Sequence, residues 1–128
     1  MTKVKFIFCD NVEVIESLNH NVQYQITNPI EFIRLKTIPT YFSISMLIVL
    51  KDLLNKEETQ LTLKIKNPNN VDIYDSGRNP IKPIPSNETF NVNVDLKNLF
   101  FDVVGDYKVQ LFLDDNLTGE DYFTVLNE

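Results

Sequence analysis

The chain has 128 residues, a formal net charge of −6 and a sequence pI near 4.7. That length suits one domain, residues 1–128, which can bury roughly two thirds of its unfolded surface without a metal, and Cys9 as the only cysteine excludes an intrachain disulfide. With only Arg34 and Arg78 as arginines and the lysines scattered, the basic footprint that phosphate backbones and anionic membranes select is missing.

Alanine, the best helix former, is absent, and the three glycines, Gly77, Gly105 and Gly119, each stand beside turn-like polar residues. The first apolar stretch, Val4 to Phe8, is too short for a signal-peptide core and runs into Asp10. The longest apolar run, Met46 to Leu50, falls far short of a bilayer span. A cytoplasmic protein is expected, with a virion or a signal-less export route as alternatives. The Asn87 and Asn116 sequons are then chance matches.

In chain order, Val4, Phe6 and Phe8 share one face of a first strand, and Asp10-Asn11 signals a turn. Val12, Val14 and Glu16 against Glu13 and Ile15 predict a short edge strand. Val22, Tyr24 and Ile26 alternate with glutamines, Asn28-Pro29 breaks the pattern, and residues 30–35 form a further extended stretch. From Tyr41 to Lys51 lies the longest strand candidate, with Phe42, Ile44, Met46, Ile48 and Leu50 at period two. A helix from Met46 to Leu54 competes with it; β-branched Ile48 and Val49 favour the strand.

Leu61, Leu63 and Ile65 alternate with Thr62, Lys64 and Lys66, a half-buried strand. Asn67-Pro68-Asn69-Asn70 is a turn, residues 71–75 a short hairpin partner, and Ser76-Gly77 its end. Pro80, Pro83 and Pro85 predict an extended, ladder-poor connection. Phe90, Val92, Val94 and Leu96 then alternate with polar residues, as do Tyr107, Val109, Leu111 and Leu113. In the last strand Tyr122, Thr124 and Leu126 are out of phase with Phe123 and Val125, and a loop from Asp114 to Gly119 precedes it. Eight or nine short strands with turns every 8–12 residues predict a two-layer, all-β, antiparallel sandwich of about 7–9 strands.

The stretch from Asn98 to Leu111 contains Gly105-Asp106-Tyr107. It resembles the end of immunoglobulin-like sandwich domains, where a Gly-x-Tyr corner precedes the penultimate strand. The resemblance implies that the Tyr107 hydroxyl bonds back to nearby backbone while its ring packs. Together with the opening Phe8-Cys9-Asp10-Asn11-Val12, this ending resembles a family of small uncharacterised bacterial immunoglobulin-like β-sandwich proteins. The sequence departs from that family's pattern at Ser17-Leu18-Asn19-His20, where a Gly-Lys-containing turn is expected. The resemblance implies a fold and transfers no activity.

Catalytic chemistry finds little purchase. His20, the only histidine, sits in a polar turn with no relay partners beside it. Cys9 adjoins Asp10, which disfavours a thiolate, so a buried strand-end thiol is expected. Asp114 and Glu120 form a carboxylate pair of the kind any acidic sandwich carries on a hairpin rim. Asp114, Asn116, Thr118 and Gly119 match four places of a calcium loop, but Val125 stands where the bidentate acid belongs. Gly119 reads instead as a turn residue with positive φ. The glycines lie too far apart for a phosphate loop. Pro80-Ile81-Lys82-Pro83 fits a polyproline spacing by chance. The chain has no tryptophan, and Tyr24, Tyr41, Tyr74, Tyr107 and Tyr122 fall in or beside strands, where sheet packing accounts for them. No cofactor, no metal and no catalytic residue is expected.

The expected function is a non-catalytic protein-interaction module of bacterial or mobile-element origin. Its partner would be another protein or itself, and its contacts would run through the loop from Asp114 to Gly119 or an unpaired edge strand. The alternative is a structural subunit of a phage particle or other homomeric assembly. An enzyme, or a sugar- or calcium-binding lectin, ranks third.

Overall fold

A chain that hides one face of each strand and wets the other alternates at period two, and the computed structural model turns that alternation into two packed sheets. It describes residues 2–16, 22–53, 58–82 and 89–128. The strands are β1 (Lys3–Glu16), β2 (Val22–Pro29), β3 (Phe32–Leu35), β4 (Thr40–Lys51), β5 (Thr59–Lys66), β6 (Asp72–Asp75), β7 (Asn79–Ile81), β8 (Phe90–Phe101), β9 (Gly105–Leu113) and β10 (Asn116–Asn127). One sheet has the order β2-β1-β4-β8; the other runs β3-β10-β9-β5-β6, with β7 also on β5. This is an immunoglobulin-like β-sandwich, with ten strands among the described residues rather than the expected seven to nine.

The core lies between the sheets. Ile44, Met46, Ile48 and Leu50 of β4 meet Leu61, Leu63 and Ile65 of β5, and Val109, Leu111, Phe123 and Val125 close the far layer. The rival helix from Met46 is excluded, because β4 is paired through Leu50 on both sides, to β1 and β8. Leu54 itself lies outside the described residues.

The Gly-x-Tyr corner is present. Tyr107 is fully buried, its hydroxyl donates to the Val103 carbonyl at 2.7 Å, and its ring stacks on Phe123 and meets Phe101 edge-on. Gly105 takes φ +128, and a Cβ there would come within 3.0 Å of Pro68.

Five sequence expectations are corrected. Asp10-Asn11 is not a turn and residues 12–16 are not a separate strand: β1 runs unbroken from Lys3 to Glu16. It pairs β4 as far as Cys9↔Ser45, and from Cys9 onward it pairs β2. The kink signalled by these residues is absorbed by the partner, where Asn28 adopts φ 59 and its amide donates to the Asp10 carboxylate at 2.7 Å. Second, the sheets are not wholly antiparallel. After β2 the chain crosses to the other sheet, and β3 lies parallel to β10.

Third, the ladder-poor connection is laddered at its start, where β7 pairs with β5 through Gln60↔Pro80; at an edge the missing N–H of proline costs no ladder bond. Pro83 and Pro85 lie outside the described residues. Fourth, no loop runs from Asp114 to Gly119. Asp114 and Asp115 take φ 48 and 67 and turn the chain in two residues, so β10 begins at Asn116. Aspartate tolerates this left-handed region better than most residues. Fifth, Gly119 is not a turn residue. It sits at a register shift in β10, where a Cβ would lie 2.7 Å from that of Val4 in the opposite sheet.

Candidate interaction surface

β-Sheets end in strands whose outward N–H and C=O groups have no ladder partner, and these edges are where another chain can add. Here the edges are β2 and β8 in one sheet and β3, β6 and the three-residue β7 in the other. β3 has four residues and carries Arg34. β6 also has four, and its two aspartates are held by cross-strand lysines, Lys66–Asp72 at 2.8 Å and Lys64–Asp75 at 3.9 Å. β8 has twelve. Its first seven residues pair with β4 in unbroken register, Phe90↔Leu50 through Leu96↔Ile44. A bulge then follows, where Asn98 takes φ 55 and its N–H donates to Ser43 Oγ at 3.0 Å.

Behind the straight part of β8 the sandwich is open. An apolar slot of about 310 Å³ runs between the sheets, with Val92 and Val94 on one rim, Tyr74, Ser76 and Asn79 on the other, and Ile48, Leu61 and Leu63 as its floor. Two polar side chains of the rim are already engaged: Ser76 Oγ accepts from the Leu63 N–H at 2.8 Å, and the Asn79 amide donates to the Gly77 carbonyl at 3.2 Å. The space therefore favours an apolar occupant.

A second recess, of about 720 Å³, lies where β1 parts from β4. Asp10, Asn28, Phe32, Arg34 and Phe42 line it. Phe32 is 54% exposed. On the outer face of the four-stranded sheet, however, the hairpin of β1 and β2 covers a small second core. There Cys9, Val12 and Leu47 are buried, with Ile7, Tyr24, Ile26 and Val49 packed against them.

The candidate residues of the sequence are dispersed. Cys9 is a mid-strand residue rather than a strand-end one; it is fully buried and its thiol donates to the Ser45 carbonyl at 3.7 Å. Burial pushes that thiol's pKa up, and the Asp10 and Asp95 charges add to the shift. His20 and Asn87 lie outside the described residues.

The aspartates of the last turn are spent on structure. Asp114 Oδ1 accepts from the Gln60 N–H at 2.9 Å, and Asp115 pairs with Arg78. Glu120 instead accepts from the Tyr122 hydroxyl at 3.0 Å and faces Lys108 at 3.6 Å. Thr118 Oγ1 bonds its own strand at Asn116. Among the described residues no three His, Cys, Asp or Glu side chains gather as a metal group would need.

The tyrosines divide. Tyr107 is core, Tyr24 covers the second cluster and Tyr74 rims the slot. Tyr41 and Tyr122 are exposed, and Tyr41 meets Phe100 at a 47° tilt, not as a flat platform. Sequence reasoning missed the slot. The signal was present in the uncharged run from Phe90 to Val94, but only the sheet order shows that this run is an edge.

Among the described residues no helix is long and apolar enough to cross a membrane. No curated protein matches the sequence. Similar solved structures include an alkylpurine DNA glycosylase from Pseudomonas fluorescens, at 9% identity and TM-score 0.48. The match covers 96% of this chain but 30% of the glycosylase. An immunoglobulin-like protein from Pseudomonas aeruginosa is similar at 18% identity and TM-score 0.43, over 98% of this chain and 96% of that one. A Listeria innocua beta-glucosidase is similar over only 16% of its own length, at 10% identity and TM-score 0.46. Residues 4–126 match the Family of unknown function (DUF6941), to which this chain belongs.

Proposed function

We propose that this protein is a non-catalytic interaction module of bacterial or mobile-element origin, acting in the cytoplasm on a protein partner through the open edge at β8. The observation that carries the reading is the juxtaposition of a twelve-residue edge strand with an apolar slot directly behind it. An extended peptide could add to the edge by main-chain bonds and drop alternate apolar side chains into the slot, the mode of β-strand addition. The acidic net charge and scattered lysines support a protein partner over nucleic acid or a membrane surface. The abundance of asparagine, isoleucine and lysine accords with an AT-rich bacterial or phage genome.

The test is a selection of random twelve-residue peptides against the native protein and against Val94→Lys, which puts an ammonium at the slot's rim. Peptides with apolar residues at alternate positions should be enriched on the native protein and lost on the variant. A selection that returns no peptide, or peptides indifferent to Val94→Lys, would sink the reading of β8 as a site for foreign peptides.

A further inference from the structure

The straight part of β8 reads Phe90-Asn91-Val92-Asn93-Val94-Asp95-Leu96. Its polarity pattern is the same in both directions about Asn93. Antiparallel pairing of this stretch with itself, in the register centred on Asn93, sets Val92 against Val94 and Phe90 against Leu96 on the core-facing side. On the outer side it sets Asn91 against Asp95 and Asn93 against its own copy. Every pair joins residues of the same parity, so the backbone groups that point out of one edge meet those that point out of the other.

We infer that the partner fitting this edge is a second copy of this chain, joined β8 to β8 about a two-fold axis through Asn93, so that two four-stranded sheets become one of eight strands. The inference rests on the β8 edge as the interaction surface and names its occupant.

Three observations favour a copy. First, the only charge in the stretch, Asp95, avoids its own image and falls opposite the Asn91 amide, a donor. Its carboxylate already accepts from Ser45 Oγ at 2.6 Å and keeps acceptor capacity for a second bond. Second, regular pairing with β4 stops at Leu96, where the bulge begins, and the symmetric stretch stops at the same residue. Third, Val92 and Val94 border the slot, so the apolar rows of the two copies would meet over it, extending both cores across the axis.

The other long edge, β2, is uncharged, but Tyr24 and Ile26 are already packed into the second cluster, and the recess at its Asn28-Pro29 end is lined by the charged Asp10, Glu31 and Arg34. That edge serves as the control.

Asn93 is exposed on the outer face, so its substitution leaves the fold intact. Antiparallel partners have Cα atoms about 4.5–5.5 Å apart, within disulfide reach. Asn93→Cys should therefore cross-link to itself under mild oxidant, while Gln25→Cys on β2 and wild type, whose Cys9 is buried, should not. In light scattering across a concentration series wild type should dimerise. Asn93→Asp and Asn93→Lys should each weaken the dimer at least ~10-fold by setting like charges opposite, and an equimolar mixture of the two should recover it as a heterodimer.

A wild-type protein monomeric throughout, cross-linking at Gln25→Cys instead of Asn93→Cys, or no rescue in the mixture would overturn the inference. Any of these with successful peptide selection would leave the interaction reading standing, and a cross-linked dimer that selects no peptide would remove foreign peptides and keep self-pairing.

Discussion

The Tyr107 hydroxyl donates to the carbonyl of Val103, four residues upstream, at 2.7 Å. One buried side chain thereby ties the approach to β9 onto the core, with Gly105 supplying the left-handed step between them. Tyr107→Phe keeps the ring stacked on Phe123 and removes only this bond. It should cost about 1–2 kcal/mol, read as a lower urea midpoint at unchanged slope. A loss near zero would show that the corner contributes shape alone.

Burial pushes the Tyr107 phenol and the Cys9 thiol above their ordinary ranges. An unfolded chain releases these protons first as pH rises. Their contribution to stability is thus complete below the unfolded values, about 8.5 for cysteine and 10 for tyrosine, and is lost as pH climbs from there through the folded values. Equilibrium unfolding should show a flat neutral region and an alkaline decline, made shallower by Tyr107→Phe above about pH 10. An alkaline limb identical in the variant would rule tyrosine out as a source.

The two sheets touch at Gly119, where a Cβ would meet the Val4 side chain at 2.7–2.9 Å. Gly119→Ala should destabilise by about 1–3 kcal/mol through overpacking. Val4→Gly in the same molecule should recover part of this, giving a coupling of at least about 0.5 kcal/mol in a double-mutant cycle. Strict additivity would place the strain elsewhere.

Leu47 points to the outer face of its sheet yet is 4% exposed, because the hairpin of β1 and β2 covers it. Leu47→Ala should cost about 2–5 kcal/mol, as for a core leucine. A cost below 1 kcal/mol would mean the hairpin does not hold its place in solution.

The last turn separates two carboxylates that are neighbours in sequence. Asp114→Ala removes the acceptor for the Gln60 N–H and puts alanine at positive φ, which should cost about 1–2 kcal/mol. Arg78→Ala breaks only an exposed pair with Asp115 and should cost less than about 1 kcal/mol. Thermal unfolding of the two variants side by side checks the order.

Alternation was the legible part of the fold. Strands β4, β5, β8 and β9 follow the period-two rows through Ile48, Leu63, Val94 and Val109, and all four residues face the core or its slot. What stayed hidden was non-local. Nothing near Phe32 announces that β3 will run parallel to Thr124–Asn127 of β10, because a parallel partner ninety or so residues away leaves no turn between them to read. Local signals also misled where tertiary contacts overrode them. Asp10-Asn11 has turn chemistry, but Asn28 absorbs the distortion and the strand continues. Gly119 has turn chemistry too, and serves instead to let Val4 approach. The β8 edge was legible as a strand and illegible as an edge, since strand order is a property of the whole chain.

The pairing of β3 with β10 also governs when this molecule can finish folding. Residues 32–35 leave the ribosome about ninety residues ahead of Thr124 to Asn127, their only ladder partner among the described residues. Until that stretch emerges, Ile33 and Leu35 lack the strand beside them, and the layer holding Phe123 and Val125 is incomplete. Closure therefore waits for β10, which follows all the other described strands in the chain. A contact order this high brings slow folding and a long interval in which apolar surface stands open.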